Sequence, residues 1–262
     1  MRALLPTGSA PSTDAIADPV DVHAHYAAGW VESGGVRVNF VSSVDGAASV
    51  AGLSRGLQTP GDNAAFAALR DLADVILVGA STAAAENYRP SNPPERRKAI
   101  RRAYGFAEAP AIAVMSSSLQ LDLSAELFTA ATVAPTLVIT GSSAPLNRRN
   151  DIIDLAGTNT RLQLLEAPSA HDGEVDFGAA VTALRELGYR RILCEGGPRL
   201  FAAGLAAGCV DELCISVAPL LTGPGAGRIV GGPPWSGEPT RLKLTGLLTE
   251  DDALFCRYAV TR

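Results

Sequence analysis

The sequence between positions 192 and 201 reads Ile192-Leu193-Cys194-Glu195-Gly196-Gly197-Pro198-Arg199-Leu200-Phe201, which predicts a strand, a tight turn and the start of a helix. Gly196 and Gly197 carry no side chains, so the backbone of the turn can approach a ligand closely, and the free N–H groups of the following helix attract an anion. Pro198 suits the first position of a helix, where no N–H group is needed. A tight turn without a ligand uses the same residues, so the neighbouring segments have to decide between a phosphate site and a plain turn.

The composition is that of a globular protein with a packed core. Of the 262 residues 47% are hydrophobic, and the formal net charge is −5. Lys and Arg are scattered evenly, which argues against nucleic acid as a partner, because binding to a phosphate backbone requires a concentrated basic face. The one basic run, Arg96-Arg97-Lys98 with Arg101-Arg102, is interpreted as the solvated face of a surface helix.

The sequence offers no membrane, secretion or metal signal. Its longest apolar stretch, 201–210, is much shorter than the roughly 18 residues of a membrane span, and the N-terminal residues lack the pattern of a secretory signal. We therefore expect a cytoplasmic protein without a membrane partner. The four cysteines form no C-x-x-C pair. The pair His23 and His25 has no third ligand nearby, so no metal site is expected.

Strands and helices alternate along most of the chain. Residues 1–34 lack periodicity and are interpreted as a leader that wraps on the surface or is partly disordered, which leaves one domain over residues 35–262. Apolar runs and alternation predict strands at 36–41, 75–79, 111–115, 136–139, 213–217 and from 192. Helical spacing predicts helices at 63–73, 177–187 and 199–206, the first of them capped by Asp62. A closing hairpin is expected from 242–248 and 254–260.

This order of elements predicts an α/β fold, namely a mixed, mostly parallel sheet with helices on both faces and a C-terminal antiparallel hairpin. Ligands of such sheets bind at the carboxyl ends of the parallel strands. Several of the predicted strands run into loops of Gly, Ser and Thr, such as Gly79-Ala80-Ser81-Thr82. A nucleotide bound at that edge is the natural inference.

The common signatures of nucleotide and nucleophile chemistry are missing. No G-x-G-x-x-G follows the first predicted strand, and the sequence contains neither a G-x-x-x-x-G-K-[ST] loop nor a G-x-S-x-G elbow. Covalent catalysis therefore has no obvious agent. The chemistry that remains is one that a cofactor carries, such as hydride transfer, while the protein supplies position and charge.

Several blocks of the chain resemble the riboflavin-biosynthesis pyrimidine reductase domain, the RibD C-terminal domain family. Their order and spacing match that family from about residue 35 onward. The blocks are Ser43-Val44-Asp45-Gly46, Leu69-Arg70, Ala73-Asp74-Val75-Ile76-Leu77-Val78-Gly79 with Thr82, Glu195-Gly196-Gly197, Val210-Asp211-Glu212-Leu213 and Ala218-Pro219-Leu220-Leu221. The resemblance implies the fold of dihydrofolate reductase, NADPH as the cofactor and a homodimer.

Site residues follow from the same resemblance. It implies an NADPH site formed by Ser42, Gly79, Thr82, Glu86, Ser117, Thr140, Gly196, Gly197, Pro198, Arg199, Leu200 and Phe201. It implies that Asn39, Ser54, Arg70, Arg89 and Glu195 meet the substrate, and that Asp45 and Glu195 are catalytic. Chemically, Arg70 suits a bidentate contact with a ribose phosphate, and Glu195 suits the amino groups of a pyrimidine.

Structural alternatives to these roles stay open in the sequence. Arg70 lies on an amphipathic helix and could be solvated there. Thr82 and Ser117 could be helix caps. Asp45 could be the corner of a turn whose side chain accepts hydrogen bonds from nearby N–H groups.

Two departures from the family pattern bear on the substrate. The H-x-E and P-C-x-x-C signature of the zinc deaminase domain that often accompanies such reductases does not occur in this sequence. Asn39 stands where several relatives have Lys, and Gly56 stands where an aromatic residue can occur. The loss of a cation and of a stacking surface concerns the substrate and leaves the cofactor site intact.

The leading hypothesis is an NADPH-dependent reductase that converts 5-amino-6-(5-phosphoribosylamino)uracil into its ribitylamino product. A second hypothesis keeps the cofactor and changes the substrate to dihydrofolate or another pterin. A third is an NADPH-binding sensor without turnover. Activity with one substrate or the other, or tight cofactor binding without oxidation, separates the three.

Overall fold

The computed structural model describes residues 1–4, 20–170, 173–233 and 238–261. The helices are α1 (Val22–Ala27), α2 (Trp30–Ser33), α3 (Pro60–Leu72), α4 (Ala80–Ala85), α5 (Glu95–Ala103), α6 (Glu126–Thr129), α7 (Leu146–Thr158), α8 (Phe177–Glu186) and α9 (Pro198–Ala206). The strands are β1 (Arg2–Ala3), β2 (Gly35–Ser43), β3 (Val75–Gly79), β4 (Ala111–Met115), β5 (Thr136–Gly141), β6 (Leu162–Ala167), β7 (Arg191–Cys194), β8 (Glu212–Ala218), β9 (Arg241–Glu250) and β10 (Ala253–Thr261). Among the described helices, none combines the length and the apolar character that crossing a membrane requires.

The strands form one sheet in the order β1-β9-β10-β8-β2-β7-β3-β4-β5-β6. From β8 to β6 neighbouring strands run parallel, while β10 pairs antiparallel with both β8 and β9. The hairpin of β9 and β10 thus closes a mostly parallel sheet. The predicted fold class is confirmed.

Helices cover both faces of the sheet because the inner strands are apolar on both sides. In β3, Ile76 and Val78 belong to one buried cluster, whereas Val75 and Leu77 belong to another. The first cluster includes side chains of α3 and α7, and the second includes side chains of α8 and α9. This alternation is what a period of two residues dictates for a strand buried on both faces.

Helix α3 begins slightly earlier than the sequence predicted. Thr59 is the N-cap, because its hydroxyl oxygen accepts a hydrogen bond from the N–H group of Asp62 at 3.1 Å, and Pro60 follows at the first helical position. The assignment of the cap to Asp62 was wrong by three residues. The earlier start places the Asp62 side chain inside the first turn, where it is 5% exposed.

The segment expected to be a surface leader contributes to the core where the structure describes it. Helices α1 and α2 bring Tyr26 and Trp30 to 2% and 4% exposure. The guanidinium of Arg37 in β2 lies 4.1 Å from the centre of the Trp30 ring. Residues 5–19 of the expected leader lie outside the described residues. Helices this short leave no periodic signal in a sequence.

Candidate active site

A cavity of about 670 Å³ lies at the carboxyl ends of β2, β3 and β7. This volume is in the range of pockets that hold small molecules. Residues that border it include Asn39, Phe40, Ser54, Asp62, Phe66, Arg70, Thr82, Glu86, Tyr88, Arg89, Glu195, Gly197, Pro198 and Arg228. Among the described residues, no group of three His, Cys, Asp or Glu side chains is placed to hold a metal ion.

The turn after β7 is packed so closely that only glycine fits. Gly196 has a φ of +79°, and a Cβ atom there would lie 2.6 Å from the Phe40 ring. A Cβ atom on Gly197 would lie 2.5 Å from Oγ1 of Thr82. The peptide bond between the two glycines is cis. The turn therefore brings bare backbone next to the Thr82 hydroxyl at the cavity wall.

Helix α9 starts at this turn with its N-terminus beside the cavity. Gly197 is its N-cap and Pro198 its first residue, and both border the cavity. The N–H groups of a first helical turn have no intrahelical acceptor, so they and the helix dipole favour an anion. Further along, Phe201 packs against Phe40 with ring centres 5.5 Å apart. A backbone cradle and a helix N-terminus are the features that fit the phosphates of a dinucleotide.

The residues predicted to bind the cofactor fall into two groups. Thr82, Glu86, Gly197 and Pro198 border the cavity. A carboxylate oxygen of Glu86 accepts a hydrogen bond from the Ser54 N–H group at 2.7 Å, so a predicted cofactor residue directly supports a predicted substrate residue. These predicted cofactor residues therefore lie in the same cavity wall as a predicted substrate residue.

The remaining predicted cofactor residues are not part of the cavity wall; they are Ser42, Gly79, Ser117, Thr140, Gly196, Arg199, Leu200 and Phe201. Ser117 lies at the same sheet edge, where its hydroxyl donates to Glu174 at 2.6 Å and accepts from the Val175 N–H group at 3.0 Å. Strand β5 extends to Gly141, so Thr140 lies within the strand and not in the loop that follows it, and it is fully buried. The structure thus keeps the Thr140 side chain in the interior.

All residues predicted to meet the substrate border the cavity, namely Asn39, Ser54, Arg70, Arg89 and Glu195. Two of them bind each other. Nε and Nη2 of Arg70 donate to the two carboxylate oxygens of Glu195 at 2.7 and 2.6 Å. Arg89 is paired with Glu126 at 2.7 Å, and both side chains are largely exposed. The structure brings Arg70 and Glu195 together at the cavity, and the sequence gave no indication of their pairing.

Tyr88 and Phe66 complete this group and were missed by the sequence analysis. The Tyr88 hydroxyl donates a short hydrogen bond to Oε2 of Glu195. The guanidinium carbon of Arg70 lies 4.3 Å from the centre of the Phe66 ring and 5.2 Å from that of Tyr88. A signal existed for Phe66, because Asp62, Phe66 and Arg70 are spaced by four residues and so share one face of α3.

Burial and charge shift the pKa values in this group. Burial raises the pKa of the Tyr88 hydroxyl well above its usual value, and the neighbouring Glu195 carboxylate raises it further. Burial lowers the pKa of Arg70, but the contact with Glu195 outweighs that effect, so the net shift is upward. Burial also raises the pKa of Asp62, and a hydrogen bond with Ser216 opposes this shift. Tyr88 therefore stays protonated and Arg70 stays charged around neutral pH.

Asp45, predicted to be catalytic, does not border the cavity. Its carboxylate accepts hydrogen bonds from the Ser43 hydroxyl and from the N–H groups of Thr222 and Gly223, the latter at 3.1 and 2.8 Å. The Ser43 contact, followed by the backbone contacts, lowers the pKa of Asp45 to about 2. This geometry corresponds to the structural alternative, a turn corner that binds nearby N–H groups.

A mostly parallel sheet with a glycine turn and a cavity at its carboxyl edge defines an α/β domain with a candidate ligand site. The family model described as the RibD C-terminal domain matches residues 35–254, and the chain belongs to this family. The family is one of reductases, so the prediction of an oxidoreductase is confirmed. No curated protein matches the chain.

Solved structures agree with this assignment. A pyrimidine reductase-like protein from Corynebacterium diphtheriae is 28% identical with a TM-score of 0.78, and the match covers 93% of this chain and 100% of that one. The riboflavin biosynthesis reductase of Saccharomyces cerevisiae is 16% identical with a TM-score of 0.64, over 87% of this chain and 90% of that one. RibD of Acinetobacter baumannii is 18% identical with a TM-score of 0.64, over 87% of this chain and 58% of that one. The last two matches show a shared fold.

Proposed function

We propose that the protein is an NADPH-dependent reductase that converts 5-amino-6-(5-phosphoribosylamino)uracil into the ribitylamino product in riboflavin biosynthesis. The observation that carries this proposal is one cavity that is bordered both by the glycine turn with the N-terminus of α9 and by the guanidinium of Arg70. Family membership and the similarity to a pyrimidine reductase-like protein support the same reaction.

The cofactor would bind at the glycine turn. The backbone of Gly197 and the first turn of α9 would hold its phosphates, with the Thr82 hydroxyl as a further hydrogen-bond partner. When bound, NADPH supplies the hydride that reduces the ribose carbon. Ser117, two residues after β4, lies along the same edge and would extend the site toward the adenosine half of the cofactor. The chain's own part is to fix the orientation of the cofactor.

The substrate would bind on the Arg70 side. Arg70 would attract the phosphate of the ribose, and Arg89, which is paired with Glu126, would offer its remaining donors at the cavity wall. Asn39 and Ser54 supply neutral hydrogen-bonding groups for the sugar or the base. Neutral hydrogen-bonding groups and guanidinium groups in one cavity suit a molecule that carries both a polar ring and a phosphate.

Turnover assays test this proposal. Purified protein is incubated with NADPH, and the loss of NADPH absorbance is followed with the phosphoribosylaminouracil and separately with dihydrofolate. We expect oxidation with the phosphorylated pyrimidine. Oxidation with dihydrofolate alone would assign the protein to pterin chemistry, and tight NADPH binding without oxidation by either compound would contradict both substrate assignments. Light scattering of the same preparation tests the predicted homodimer.

A further inference from the structure

Three elements meet around one carboxylate in the cavity wall. Arg70 comes from α3, Tyr88 from the loop after α4, and Glu195 from the turn after β7. They are held together by two hydrogen bonds from Arg70 and one from Tyr88, all accepted by Glu195. The Glu195 side chain is 3% exposed, whereas that of Arg70 is 25% exposed. The guanidinium is therefore the more accessible charged group of this set.

The hydrogen bonds of Glu195 leave it little capacity for a ligand. An ionised carboxylate has about four acceptor positions, and Arg70 and Tyr88 take three of them. A substrate amino group would have to compete with a bidentate, charge-assisted pair for the rest. Glu195 is consequently better suited to hold another residue than to bind a pyrimidine directly.

Arg70, in contrast to Glu195, keeps hydrogen-bonding capacity for a ligand. A guanidinium carries five N–H donors, and Glu195 uses two of them. The plane of the group is fixed by the Phe66 ring at 4.3 Å and by its flanking contact with Tyr88. Arg70 borders the cavity, where a fixed guanidinium suits a phosphate.

We propose that Tyr88 is a positioning residue, which holds the Glu195 carboxylate and through it the Arg70 guanidinium in the orientation that receives the phosphate of the substrate. The inference rests on the proposed function in that it takes the ligand to be phosphorylated. It assigns Tyr88 no contact with the reacting atoms. Its hydroxyl keeps Oε2 in place, and without that donor the Glu195–Arg70 pair gains freedom to rotate.

The variant Tyr88→Phe removes the hydroxyl and keeps the ring beside Arg70. Because the lost hydrogen bond acts on the ligand through two other side chains, we expect KM for the phosphoribosylaminouracil to rise about fivefold to tenfold. We expect kcat and the affinity for NADPH to stay within about twofold, since neither depends on this phosphate contact. Tyr104→Phe is the matched control, because Tyr104 packs against Phe106 and does not border the cavity.

Direct binding of ribose 5-phosphate, measured by calorimetry, separates this inference from the reaction. We expect wild-type protein to bind it, Tyr88→Phe to bind it about fivefold to tenfold more weakly, and Arg70→Lys to lose more, because lysine cannot make the bidentate contact. The same ligand without its phosphate, ribose, should show no dependence on Tyr88. Circular dichroism of each variant confirms that the fold is retained.

The outcomes are distinct. A change limited to phosphorylated ligands supports the inference, even if the pyrimidine is not turned over and the proposed function fails. Unchanged KM and unchanged ribose 5-phosphate affinity in Tyr88→Phe would overturn it. So would a loss of NADPH affinity or of kcat equal to the rise in KM, because that pattern indicates a general structural defect.

Discussion

Glu195 carries a negative charge at a position that is almost closed to water. Its charge is tolerable there because Arg70 supplies a bidentate partner and Tyr88 a further donor. Removing one member of a buried ion pair leaves the other without compensation, which costs more than the pair itself contributes. Arg70 keeps some access to water, so the penalty in this case is smaller than for a fully buried pair.

We expect Glu195→Gln to lower the free energy of unfolding by about 2 kcal/mol, because the amide cannot neutralise Arg70. Urea unfolding followed by circular dichroism measures the change. Glu126→Gln is the matched control: its ion pair with Arg89 joins two side chains that are 58% and 62% exposed. Such a pair contributes at most about 1 kcal/mol. Equal effects of the two substitutions would contradict a larger contribution to stability from the buried pair than from the exposed one.

Gly197 is a second residue whose chemistry can be tested alone. A Cβ atom at this position would lie 2.5 Å from Oγ1 of Thr82, so the backbone of the turn or the Thr82 side chain, both at the cavity wall, must shift. We expect Gly197→Ala to weaken NADPH binding by at least about tenfold, since the backbone contact with the phosphates is displaced. Fluorescence titration with NADPH measures the loss.

Gly157→Ala provides the control for that substitution. Gly157 lies near the end of α7, and nothing lies within 4 Å of the position of an added Cβ atom. We expect unchanged NADPH binding in this variant. Normal NADPH affinity in Gly197→Ala would remove the glycine turn from the cofactor site.

Hydrogen bonds join two loops beside the cavity, residues 44–48 and residues 220–227, and Asp45 accepts several of them. The backbone N–H groups of Val44 and Ala48 donate to the carbonyl oxygens of Leu220 and Gly227 at 3.0 and 2.8 Å. Asp45 adds the hydrogen bonds from the 222–223 backbone. Because Ala48 and Gly227 both border the cavity, the hydrogen bonds between these loops fix part of its wall.

The strength of the Asp45 hydrogen bonds depends on pH, in a direction set by the lowered pKa of the Asp45 carboxyl group. The pKa of Asp45 falls from its ordinary value of 3.8 to about 2. Its contribution to stability is therefore complete above the ordinary value and is lost as the pH falls through about 2. We expect protection of residues 220–227 from hydrogen exchange to decrease between pH 4 and pH 2 in the wild type more than in Asp45→Asn. Equal pH dependence in the two proteins would show that the Asp45 carboxylate does not hold the 220–227 loop.

The strands that position the site could largely be predicted. Helix α4, which carries Thr82 and was expected to begin as a loop, and the thirteen-residue α7 were not predicted. Strands β3, β4 and β5 are short apolar runs buried on both faces, so their composition alone marks them. Strand β6 was missed because it lies at the sheet edge and carries Gln163 and Glu166 among its apolar residues. Helices α1 and α2 were missed because six and four residues are too few to show a period.

At the scale of the whole molecule, the parallel sheet explains which parts of the site a sequence reveals. It places the carboxyl ends of β2, β3 and β7 side by side, so residues after each strand could be assigned to one cavity. The pairing of Arg70 with Glu195 joins residues 125 positions apart. Residue types alone do not tell whether such groups bind a ligand or each other, so the Arg70–Glu195 pair could not be predicted from the sequence.

Isotope transfer tests the central claim most directly. The protein is incubated with 5-amino-6-(5-phosphoribosylamino)uracil and NADPH that carries deuterium at the transferable position of the nicotinamide, and the product is analysed by mass spectrometry. The account predicts a ribitylamino product with deuterium on the former C1 carbon of the ribose. A product without deuterium, or no product while dihydrofolate acquires the label, would contradict it.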